Sequence, residues 1–140
     1  MGRIVVGVDG SDGSCQALAW AVEEARLRDA RLDVVHAWHE PYVGGYPYTL
    51  VSYDPRDWEA SARQLLHELL AEVDTGGVTV ERIVVHDLAA RALIEAAKGA
   101  DLVVVGTRGR GGFSGLLLGS VSSHVVHHAP CPTVVVRNGE

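Results

Sequence analysis

Five short runs rich in valine, isoleucine and leucine recur along the chain, and segments of helical period separate them. Residues 3–8, 32–38, 78–85, 101–105 and 133–137 read as strands. Residues 12–28, 57–73, 88–98 and 120–128 read as helices. In the first helix Ala17, Leu18, Ala21, Val22 and Ala25 share one face, and Ser11 or Asp12 stands where an N-cap belongs. In the second, Ala62, Leu65, Leu66, Leu69, Leu70 and Val73 form the apolar stripe, with Thr75-Gly76-Gly77 ending it; Gly99 closes the third. The strand runs are almost continuously apolar rather than alternating, which marks strands covered on both faces. Strict strand–helix alternation of this kind predicts an α/β domain: a parallel five-stranded sheet, doubly wound, with helices on both faces. A chain of 140 residues suits one such domain spanning residues 1–140, and no repeat or linker divides it.

The fourth strand empties into Gly106-Thr107-Arg108-Gly109-Arg110-Gly-Gly-Phe-Ser-Gly-Leu-Leu-Leu-Gly119-Ser120, and a helix follows. Glycines let backbone N–H groups approach an anion, and a helix N-terminus adds unpaired N–H groups with partial positive charge. Ser120 is placed to cap that helix or to donate its hydroxyl to a phosphate oxygen. Arg108 and Arg110 offer further positive charge, or simply form a solvated loop face. Two familiar glycine motifs are excluded. No lysine follows the last glycine, so this is no Walker loop. The dinucleotide fingerprint fails because Gly109-Arg-Gly111-Gly-Phe-Ser114 ends in serine and lies late in the chain. The spacing that fits is G-x2-G-x9-G-[ST], on Gly106, Gly109, Gly119 and Ser120; the competing reading is a loop whose glycines only make turns.

Composition narrows the partners. Apolar residues make up 47% and charged residues 21%, against disorder. The net charge of −6 disfavours nonspecific nucleic-acid or membrane-surface binding. No apolar run reaches the roughly 18 residues of a membrane span. The N-terminus lacks a signal-peptide layout, and Val6 stands where a myristoylation signal needs Ser or Thr. Cys15 and Cys131 lack metal-ligand spacing and read as reduced thiols of a cytosolic protein. His124 and His128 have i, i+4 spacing, but His-Glu-x-x-His is absent and no metal site is expected. His36 reads as a core or interface residue. Residues 39–57, with Tyr42, Tyr46, Tyr48 and Tyr53, are too long for an ordinary connection and read as a ligand-covering flap or a surface loop.

These features together resemble the ATP-binding branch of the universal stress protein family. Besides the glycine motif, the resemblance rests on three segments. They are Ile4-Val-Val-Gly7-Val8-Asp9-Gly10-Ser11, Val34-Val-His36-Ala37-Trp38 and Ala129-Pro-Cys-Pro132-Thr-Val-Val-Val136. It covers nearly the whole chain and is weakest over residues 42–55.

The resemblance implies strand order 3-2-1-4-5, with a ligand crevice where the order reverses. Gly106, Gly109, Gly119 and Ser120 would then hold phosphates and ribose, with Thr107, Arg108 and Arg110 in the same loop. Val121 and Ser122 would add a backbone N–H and a hydroxyl. Asp9 would accept from the ribose hydroxyls, unless it serves only as a turn or capping residue. Val8 and Ala37 would line the adenine slot, and Gly7 would permit close approach.

The implied cofactor is ATP, with Mg2+ or Mn2+ carried by its phosphates. It would act as a regulatory ligand in a cytoplasmic stress-response protein, with at most very slow hydrolysis. The alternatives are a slow ATPase, a nucleotidyl-transfer enzyme, or a binder of another adenine nucleotide such as AMP or cyclic AMP. A homodimer through Thr133–Val136 is implied as well.

Overall fold

Strand β1 (Arg3–Gly7) lies at the centre of a five-stranded sheet, and every pairing in that sheet is parallel. The computed structural model describes residues 2–39, 42–43, 46–47, 55–107 and 118–137. After β1 come α1 (Asp12–Arg28), β2 (Arg31–Trp38), β3 (Tyr42–Val43), β4 (Tyr46–Pro47) and α2 (Pro55–Ala71). Then follow β5 (Val80–His86), α3 (Ala89–Ala96), β6 (Leu102–Gly106), α4 (Ser120–His128) and β7 (Thr133–Val136). The order β5-β2-β1-β6-β7 is the expected 3-2-1-4-5 of the five long strands.

The continuous apolar runs are explained by the two covered faces. Successive strand residues point to opposite sides. Ile4 and Val6 therefore pack with Leu32, Val34 and Val104 beneath Leu18 and Val22 of α1 and Leu66 and Leu70 of α2. Val5 packs with Val35, Val103 and Val105 beneath Ala92 and Leu93 of α3 and Val125 of α4. Helix α1 starts at Ser11, whose Oγ accepts from the Ser14 N–H, so Ser11 rather than Asp12 is the cap. It ends at Asp29, whose left-handed backbone (φ 54°) returns its N–H toward Ala25 and Arg26.

At the opposite end of the sheet, Arg3 joins three elements. Its Nη1 donates to Asp33 Oδ2 at 3.0 Å and to the Ala96 carbonyl at 2.8 Å, and Nη2 donates to the Lys98 carbonyl. A cation thus sits at the C-terminal end of α3, where the helix dipole favours it. Arg31 donates to both carboxylate oxygens of the buried Asp33.

Several boundaries differ from expectation. β5 begins at Val80 rather than Val78, because the Val78 N–H turns back to the Thr75 carbonyl. It runs on to His86, which pairs with Trp38. α2 begins at Pro55, two residues before Asp57, as proline tolerates a first helical turn. α3 is shorter than residues 88–98 and ends at Ala96. Within residues 39–57, β3 and β4 pair antiparallel. The flap reading, the side chains of Tyr42 and Tyr46, and Tyr48 and Tyr53 altogether lie outside the described residues.

Candidate functional site

Because β1 feeds α1 on one face and β6 leads to α4 on the other, the sheet opens between their carboxyl ends. Open α/β sheets bind ligands at this reversal. A cleft with about 500 Å3 of open space, its mouth included, lies there. Gly7, Val8, Asp9, Ala37, Gly106, Val121 and Ser122, singled out from sequence, all line it. Its floor is the apolar Val35, Ala37, Leu93 and Val105, an environment suited to a flat apolar ring.

Asp9 is anchored. Its Oδ1 accepts from the Ser11 N–H at 2.9 Å and from the Ser11 hydroxyl at 2.5 Å. Ser14 Oγ accepts from the Asp9 N–H at 3.1 Å and donates to the Ser11 carbonyl at 3.0 Å. Asp9 is therefore a turn residue at the entry to α1 while it also lines the cleft. The turn reading is therefore met by Asp9 and Ser11. Gly10 between them has φ 85°, the left-handed region that favours glycine.

The start of α4 corrects two expectations. The N-cap is Gly119, not Ser120, which is the first helical residue and exposed. The Gly119 N–H is turned inward and donates to the Thr107 carbonyl at 2.6 Å, so it does not point at an anion. The Ser122 hydroxyl is likewise engaged, donating to the Thr107 carbonyl at 2.7 Å and reaching the Gly119 carbonyl at 3.2 Å. What remains for an anion is backbone. The first intrahelical bond runs from Ser123 N–H to the Gly119 carbonyl, so the N–H groups of Ser120, Val121 and Ser122 have no acceptor within the helix. Thr107, Gly119 and Ser120 sit beside the cleft rather than on its wall. Arg108, Gly109 and Arg110 lie outside the described residues.

Two glycines have packing reasons. A Cβ on Gly106 would come within 2.9 Å of the Gly13 carbonyl oxygen in α1. One on Gly7 would meet Leu93 Cδ1 at 2.6 Å, so the close approach there is made by α3.

Sequence reasoning missed Ser11 and Ser14 as wall residues, though the capping signal pointed to that turn. It also missed Val35, Ala89, Leu93 and Val105. Leu93 and Ala89 reach the cleft only through the docking of α3, which no local pattern reveals.

Other groups fall elsewhere. His36 is buried, with Nδ1 2.9 Å from the Val8 carbonyl. His86 stacks on Trp38, ring centroids 4.1 Å apart and ring planes nearly parallel. His124 and His128 lie ring to ring on α4, and no cluster of three or more metal-ligating side chains occurs among the described residues. Cys15 and Cys131 are free thiols. Burial pushes both thiol pKa values up; Asp12 adds to the effect at Cys15, while Arg3 opposes it at Cys131. No helix among the described residues is long and apolar enough to cross a membrane.

The model of the universal stress protein family matches residues 1–137. The chain belongs to the universal stress protein family. It is 41% identical over 139 residues to universal stress protein Rv2623 of Mycobacterium tuberculosis, covering 96% of this chain and 44% of that relative. The chain thus spans less than half the length of the curated relatives it matches. Universal stress protein UspA from Lactobacillus plantarum shares the fold with a TM-score of 0.79 at 23% identity, over 97% of both chains. A universal stress protein solved in complex with cAMP is 28% identical, with a TM-score of 0.68 over 99% of this chain and 98% of that one.

Proposed function

We propose that this universal stress protein domain, taken as residues 1–140, binds an adenine nucleotide, ATP foremost, as a regulatory ligand in the cytoplasm. The observation that carries the reading is the cleft at the sheet reversal, with Asp9 on one wall and the N-terminus of α4 on the other. The residues fit such a ligand. The apolar floor takes the base between Val8, Ala37 and Leu93. The Asp9 carboxylate accepts from ribose hydroxyls. The backbone N–H groups of Ser120, Val121 and Ser122 face the phosphates, with Gly106 and Gly109 giving the chain room and Arg108 and Arg110 adding charge. A divalent ion, Mg2+ or Mn2+, rides on the phosphates with water filling its shell. A second copy pairs along β7, giving a two-fold dimer.

A second reading has its own support: the relative solved with cAMP is 28% identical and matches nearly end to end. Cyclic AMP has a single phosphate and a blocked 3′-oxygen. It would use the base slot and less of the glycine loop.

Mass spectrometry of ligand released from the purified protein, followed by titration calorimetry with ATP, AMP and cAMP, tests both. ATP bound at least tenfold tighter than cAMP supports the first; the reverse order supports the second. No binding of any of the three removes both.

A further inference from the structure

The last peptide before the cleft is held at both ends by side chains. The β1 ladder stops at Gly7, yet the Val8 N–H still donates to the Val35 carbonyl at 2.9 Å. Beyond it lies the peptide unit joining Val8 to Asp9, made of the Val8 carbonyl and the Asp9 N–H. His36 Nδ1 is 2.9 Å from that carbonyl, and Ser14 Oγ is 3.1 Å from that N–H. A carbonyl only accepts, so Nδ1 carries the proton and donates. Both side chains are buried. They come from different elements, β2 and α1, and grip opposite ends of one peptide plane. That plane sets the direction in which Asp9 leaves the strand.

We infer that His36, with Ser14, is a positioning residue for ribose recognition: it fixes the Val8–Asp9 peptide so that the Asp9 carboxylate stands ready at the cleft wall. The inference rests on the nucleotide reading above. His36 does not line the cleft, so it acts only through Asp9. Without the ring donor, the buried Val8 carbonyl loses its partner. The peptide is then free to rotate toward another donor, and Asp9 turns with it.

The test compares ATP with 2′,3′-dideoxy-ATP, which lacks both ribose hydroxyls, by titration calorimetry on the full chain. His36→Phe keeps a ring but has no donor. His36→Asn keeps an N–H on the atom bonded to Cγ, where Nδ1 stands. His36→Phe should weaken ATP by about threefold to tenfold, the worth of one hydrogen bond, and leave dideoxy-ATP unchanged. His36→Asn should restore ATP to within about twofold of wild type. Ser14→Ala, which frees the other end of the plane, should show the same ATP-selective loss and serves if the phenylalanine variant fails to fold.

Equal weakening of both nucleotides would make His36 a mere support of the cleft and overturn the inference, as would unchanged ATP affinity in His36→Phe. A wild type that binds neither nucleotide removes the nucleotide reading and this inference with it. A wild type that prefers ATP while the variants do not differ removes this inference alone.

Discussion

The Thr107 carbonyl accepts a 2.6 Å hydrogen bond from the Gly119 N–H. One oxygen atom thereby ties the end of β6 to the start of α4 across residues 108–118. The Ser122 hydroxyl donates to the same oxygen at 2.7 Å. Two donors on one carbonyl fix where the helix begins, and the helix beginning is where its unsatisfied N–H groups gather.

Ser122→Ala should therefore cost about 1 kcal/mol of stability, the worth of one buried hydrogen bond. Urea denaturation should show a lower midpoint with an unchanged slope, since the same surface is exposed on unfolding. A midpoint equal to wild type would mean the Gly119 bond alone sets the helix start.

The two close-packed glycines should differ in cost. A methyl on Gly106 meets backbone, the Gly13 carbonyl at 2.9 Å, which can yield only if α1 moves away from the sheet. A methyl on Gly7 meets the tip of Leu93, which can rotate. Gly106→Ala should cost about 2–3 kcal/mol and Gly7→Ala about 1 kcal/mol, within the usual range for overpacking. Adding Leu93→Ala should offset part of the Gly7→Ala loss and none of the Gly106→Ala loss. Equal costs in urea titrations would refute the distinction.

These glycines also show what sequence reveals and what it hides. Among the described residues, periodicity located the five long strands and the four helices, because burial on two faces leaves a continuous valine and leucine signal. The strand order implied by the family resemblance then placed Asp9 and Gly106 near each other, and both line the cleft. The direction of individual polar atoms was not legible. Gly119 belongs to the G-x2-G-x9-G-[ST] spacing and Ser122 was expected to offer its hydroxyl beside it, yet the Gly119 N–H and the Ser122 hydroxyl turn inward to Thr107, a choice made by tertiary geometry. Leu93 entered the cleft for the same reason: α3 docks on Gly7, and nothing local to either residue announces it.

The two thiols should be sluggish at neutral pH. Each has its pKa raised above the ordinary value of 9.0, chiefly by burial. Less thiolate is present, so an aromatic disulfide reagent at pH 8 should react more slowly than with free cysteine. Stability should carry the matching sign. Above the ordinary thiol value the unfolded chain ionises first, so these groups stabilise the fold below that pH and lose the contribution as pH rises. Cys15→Ala with Cys131→Ala should flatten the alkaline fall measured in urea; an unchanged slope would assign it to other groups.

The dimer proposal turns on the outer edge of β7, the last strand of the described sheet. Val103 N–H donates to the Pro132 carbonyl and Thr107 N–H to the Val136 carbonyl, so alternate residues of this strand face β6. By the same alternation Thr133 and Val135 present their backbone groups to the outer edge. Val135→Pro removes an outward donor and spares the inner ladder. Sedimentation velocity should show the wild type as a dimer at micromolar concentration and this variant shifted toward monomer. A wild type that sediments as a monomer would defeat the proposal directly.

Bound ATP should be hydrolysed very slowly. Cleavage needs an oriented water and stabilisation that grows in the transition state. Among the described residues lining the cleft, Asp9 is the only titratable side chain. Its Oδ1 is taken by Ser11, and its proposed place is the ribose end, away from the terminal phosphate. The helix N–H groups at Ser120, Val121 and Ser122 would grip ground state and transition state about equally. Such uniform binding gives affinity without rate. Single-turnover hydrolysis with Mg2+ should run on the order of once per hour or slower, against about 1–10³ per second for typical enzymes. The control is the double variant Ser120→Ala, Arg110→Ala. Turnover near one per second in the wild type, abolished in that variant, would make the protein an ATPase and refute the regulatory-ligand reading.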